Sequence, residues 1–145
     1  MKGLCSNVLI VLSCFITLIK PTMATDINSD RAKFNYQMLC QGCHTPDGNG
    51  AKDVPEIKDF IGHFLTTPKG REYLVRVPGS ANSALNDAEL AEVLNWMILN
   101  MGGESVPENM QHYTAAEVAK LRQHSLFEVV EYRKMLISEL SLDNK

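Results

Sequence analysis

Cys40-Gln41-Gly42-Cys43-His44 sets two thiols three residues apart and an imidazole directly after the second. This is the spacing at which a chain attaches c-type haem: each thiol adds across one vinyl group of the porphyrin, and the histidine ligates the iron. On a helix entering the motif, positions i and i+3 share a face, so Cys40 and Cys43 reach two vinyls along one edge of the ring. His44 then turns beneath the ring plane to offer iron a nitrogen. Two other chemistries use such a thiol pair. Half of a zinc site is one, but zinc takes four ligands, and His63, His112 and His124 are scattered along the chain rather than paired. A thioredoxin-like redox pair is the other, and it requires a strand-helix-strand setting that the flanking residues do not supply. The pattern favours one covalent haem c, with its iron, as the cofactor.

The elements that must position these groups read as helices. Ser29 offers an N-cap with Asp30 in the first turn, and Ala32, Tyr36, Leu39, Cys40 and Cys43 fall on one helical face. Thr45-Pro46-Asp47-Gly48-Asn49-Gly50 is dense in turn residues, so the chain leaves the helix there and passes around the ring edge. Asp59 to Leu65 is a short helical candidate, and Thr67 caps a helix opened by Pro68. Asn86 and Glu89 make a capping box for a helix carrying Leu90, Val93, Leu94, Met97, Ile98 and Met101, which Gly102-Gly103 ends. Thr114 to Glu117 and Ser125 to Glu128 repeat the box pattern, announcing two further amphipathic helices expected to fold back over the rest.

This order of features resembles the class I monohaem cytochromes c from about Ser29 to Asn100. Tyr36, four residues before the first cysteine, and Trp96 match the family's aromatic pair where its first and last helices cross; Ala32 stands where a glycine is usual, which implies a slightly wider crossing. The resemblance implies an all-α, cytochrome c-like helical domain around one covalently bound haem, here with a C-terminal helical extension. It also implies that the Pro55 carbonyl accepts the Nδ1 proton of His44. The family presents a methionine followed by proline to the open face of the iron, whereas Val77 precedes Pro78 here and valine cannot ligate. Met97 is the best-placed alternative sixth ligand, ahead of Met101 and Met110, and five-coordinate iron stays open. Arg71, Tyr73 and Arg76 are candidates to meet the haem propionates, with a solvated face as the alternative.

Residues 1–24 read as a secretory signal peptide: Lys2, an apolar run from Leu4 to Ile19, and the small-residue site Thr22-Met23-Ala24. That assigns 25–105 to the haem domain, 106–145 to the extension, and the periplasm as the compartment. Cys5 and Cys14 depart with the leader, leaving the haem pair as the mature thiols. The 14 basic and 17 acidic residues give a net charge of −3; loss of Lys2 and Lys20 leaves 12 against 17, a charge of −5. An acidic chain argues against nucleic acid and anionic membrane, and suits a carrier docking on a basic patch. The expected function is periplasmic electron transfer, non-enzymatic, between redox partner proteins such as a dehydrogenase and another cytochrome or an oxidase. A haem-based ligand binder with an open iron position, or a haem subunit of an oxidoreductase complex, are the rival readings.

Overall fold

The computed structural model describes residues 27–141, so the leader expected over 1–24 lies outside the described residues. Seven α-helices follow one another there: α1 Ser29–Leu39, α2 Gln41–His44, α3 Pro68–Arg76, α4 Pro78–Ala81, α5 Asp87–Met101, α6 Ala115–Leu121 and α7 Val129–Glu139. Short 3₁₀ segments at Ile61–Thr66, Gly103–Ser105 and Arg122–His124 complete the order. Among the described residues the sole β feature is an isolated bridge between Ala51 and Val54, and the chain is all-α with a cytochrome c-like helical fold.

Helix α5 is the axis of the fold. Its capping box forms as the sequence predicts: Asn86 accepts from the Ala88 and Glu89 amides, and Glu89 reaches back to the Asn86 amide at 3.0 Å. Ten of its residues are buried, on every face, as expected of a helix enclosed by neighbours. On one side α1 crosses it through fully buried Ala32, and the Tyr36 ring lies 5.5 Å from Trp96 at a 42° tilt. The crossing carries a charged clasp as well. Glu92, buried on α5, accepts from the Asn28 amide at 2.8 Å and from Arg31 at 2.7 and 2.9 Å. The cap of α1 is Asn28, one residue before the expected Ser29, because its side chain reaches the Arg31 amide.

On the other side α5 holds the C-terminal segment. Asn95 is 1% exposed; it donates to the Tyr113 carbonyl at 2.9 Å and accepts from the Tyr113 amide at 2.7 Å. This fixes the chain just before α6, whose cap Thr114 binds the Glu117 amide. The Glu117 carboxylate does not complete a capping box; it pairs instead with Arg71 on α3. Ser125 does not cap α7 either. The Leu126 amide bonds the Arg76 carbonyl, so the chain stays extended through that point, and α7 begins at Val129 with no side-chain cap. Leu136 is buried, and Tyr132 stacks on Tyr73 at 6.1 Å, bringing α7 down on α3. Close approach needs Gly70 on α3: a β-carbon there would overlap the Phe64 carbonyl.

Candidate haem-attachment site

Cys40 caps α1, its amide bonding the Tyr36 carbonyl, and the same residue opens the single turn of α2. The Cys43 and His44 amides both return to the Cys40 carbonyl, at 3.1 and 3.0 Å, so one helical turn carries all three groups. Beyond it Thr45 takes a φ of 62° and Gly50 one of 74°, and the chain reverses around the imidazole. Gly50 is required on two grounds: it adopts the left-handed region, and a β-carbon would strike the Val54 carbonyl. The Tyr36 hydroxyl donates to the Thr45 carbonyl, which ties the α1–α5 aromatic pair directly to this turn.

Cys40, Cys43 and His44 line one cavity of about 310 Å³. Its walls are mostly apolar, with Ile57, Phe64, Leu74 and Leu94 among them. The Nδ1 atom of His44 lies 3.2 Å from the Pro55 carbonyl. A carbonyl only accepts, so Nδ1 carries the proton and Nε2 keeps a lone pair for a metal. Burial pulls the imidazole pKa below its ordinary value, opposed in part by that Pro55 bond, so the ring is neutral at physiological pH. Burial, aided by the neighbouring Cys43 thiol, pushes Cys40 up to about 11. A redox-active thiol pair has the opposite character, a lowered thiol pKa. Among the described residues no three of His, Cys, Asp and Glu gather as a metal-ion site, so the zinc alternative has no ligand set there. Two thiols, one imidazole nitrogen with a lone pair and an apolar wall are the donor set that c-type haem requires.

The remaining sequence candidates divide. Val77 and Pro78, in the place of the family's methionine and proline, line the cavity, as does Met97, which is 7% exposed. Met101 is buried with its sulfur toward Gly48, and neither it nor Met110 lines the cavity. Tyr73 lines it, but Arg71 and Arg76 do not. Arg71 is committed to Glu117 at 2.6 Å and to the Gln111 and His112 carbonyls, with its guanidinium 4.0 Å over the Tyr113 ring. Arg76 is held by Glu72 and the His124 carbonyl. Both arginines therefore bind the C-terminal segment rather than a propionate, a use set by partners some 40 residues further along the chain. The residue that sequence reasoning missed is Arg133, which lines the cavity from α7. Its only sequence signal was a lone cation on the apolar side of an amphipathic helix.

No protein-family model matches the chain. No solved structure matches it. The chain is similar to a cytochrome c-552 of Thermus thermophilus, 31% identical over 129 residues, with 74% of this chain and 97% of that protein covered. A second cytochrome c-552, from another strain record of Thermus thermophilus, is also 31% identical over 129 residues, covering 74% of this chain and 86% of its own length.

Proposed function

The chain belongs to the c-type cytochrome family, and from that premise we propose that it is a class I monohaem electron carrier of the periplasm, its haem c joined through Cys40 and Cys43 and its iron held by His44. When bound, the haem supplies a one-electron iron couple in a covalently fixed position. The observation that carries the reading is the convergence of both thiols and the imidazole on one apolar cavity, with Nδ1 of His44 already engaged by Pro55. Each protein group then has a defined task. Cys40 and Cys43 fix the cofactor's position, the Pro55 carbonyl holds the imidazole in one orientation and raises its basicity, and the apolar walls exclude water.

Met97 is the thioether of the cavity wall and the proposed sixth ligand. With no acid-base pair assigned to chemistry, the protein acts as a carrier rather than an enzyme. Its acidic surface suits docking on basic patches of redox partners, of which a periplasmic dehydrogenase and another cytochrome or an oxidase are the proposed kinds. No helix among the described residues is long and apolar enough to cross a membrane. We place the leader at 1–24, the haem domain at 25–105 and the extension at 106–145.

A reversible one-electron titration of a low-spin protein, with a weak near-infrared sulfur-to-iron band when oxidised and no response to carbon monoxide when reduced, is the expected result. One observation favours a second reading, an open-iron ligand binder: Val77 stands where the family has its ligand, and the buried Ser83 hydroxyl, on the same cavity, has no hydrogen-bond partner. Rapid carbon monoxide binding to the reduced protein would decide for it and against the Met97 ligation.

A further inference from the structure

Arg133 is the permanent cation of the cavity wall, and it arrives from α7, in the extension beyond the stretch that resembles the cytochromes c. The chain has five arginines. Arg31, Arg71, Arg76 and Arg122 all bind carboxylates or carbonyls. Arg133, half-buried, makes no ion pair or hydrogen bond to another described residue; its guanidinium lies 5.2 Å over the Phe60 ring and 5.8 Å from that of Phe64. Aromatic faces attract a cation but accept none of its five N–H donors. A guanidinium directed at an apolar cavity is costly without an anion, and planar carboxylates are its best partners.

The macrocycle that this cavity suits carries two carboxylates on one edge, while the thiols grip another. We propose that Arg133 binds the haem carboxylates, so that the C-terminal extension completes the cofactor site rather than merely packing on it. The proposal rests on the haem reading above. Val129, one turn earlier on the same helix, lines the cavity too, so α7 closes this side with an apolar residue and a charge together. Its placement is over-determined: Tyr132 stacks on Tyr73, and Lys69 bonds Glu139 at 2.9 Å.

A cation beside the haem disfavours the form of higher positive charge, so its loss favours the oxidised state. The test uses the full chain exported with its haem attached, as Arg133→Gln, Arg133→Lys and the control Lys134→Gln. Lys134 is the adjacent cation and pairs with Glu131 on the solvent side, so the control makes the same charge change away from the cavity. Spectroelectrochemistry should show Arg133→Gln shifted about fivefold toward the oxidised form at a fixed electrode potential. Lys134→Gln should shift less than about twofold, and Arg133→Lys should lie near the parent. Equal shifts for the two glutamine variants would overturn the proposal. Should Arg133→Gln fail to fold, nuclear Overhauser contacts between the haem propionate methylenes and the Arg133 side chain of the unmutated reduced protein decide the matter: they are expected, and their absence overturns it. An exported chain without haem defeats the underlying reading; a haem-bearing chain with a silent Arg133 defeats only this inference.

Discussion

Glu92 shows how one carboxylate can hold two helices and make the hold depend on pH. Burial pushes its pKa upward, but the Arg31 guanidinium and the Asn28 amide outweigh burial, and the net value lies below the ordinary 4.5. A depressed carboxyl stabilises the fold above its unfolded value, and the contribution is lost as pH falls through the folded one. Glu92→Gln should therefore be less stable than the parent at about pH 7 and approach it at about pH 3, read by urea denaturation at both values. Asn95 has no such switch, because its amide is neutral throughout. Replacing it with alanine leaves the buried amide and carbonyl of Tyr113 unpaired and should cost about 2–4 kcal/mol at any pH in that range. A loss of less than about 0.5 kcal/mol would mean that the Asn95–Tyr113 clamp is not what fixes the chain ahead of α6.

At the scale of elements, the crossing of α1 with α5 positions the thiol turn, because Tyr36 touches both Trp96 and the Thr45 carbonyl. Trp96→Ala should destabilise by about 3–5 kcal/mol in thermal unfolding. Gly70→Ala, which forces α3 off the Phe64 carbonyl, should cost about 1–3 kcal/mol despite alanine's better helix propensity. Legibility in the sequence followed the same division between local and distant causes. The Thr67-Pro68 start of α3, the Asn86–Glu89 box and the glycine stop of α5 are local chemistry, and each formed as read. The thiol turn was equally legible because all its groups lie within five residues. Ser125 failed as a cap because the Leu126 amide found a carbonyl on α3, and Arg71 and Arg76 left the cavity for partners on the C-terminal segment. Nothing within a helical turn of those residues announced such partners. Arg133 was obscured for the same reason, since only the return of α7 brings it to the cavity.

Over the whole molecule, residues beyond 105 grip the rest at several points. Arg122 binds the carbonyls of Ala81, Ser83 and Leu85 and the Asp87 carboxylate, holding the loop between α4 and α5 against the cavity. Deleting residues 126–145 uncovers Tyr73 and removes Val129 and Arg133 from the cavity wall. Such a truncation should unfold at a lower denaturant concentration and let carbon monoxide reach the reduced iron faster than in the full chain, as measured by flash photolysis. The central claim is simpler than any of these, namely that a haem is joined to Cys40 and Cys43 by bonds that survive unfolding. Intact-mass spectrometry of the exported protein under denaturing conditions tests it most directly: one haem should travel with the polypeptide, and a chain that runs at the mass of its amino acids alone would contradict the account.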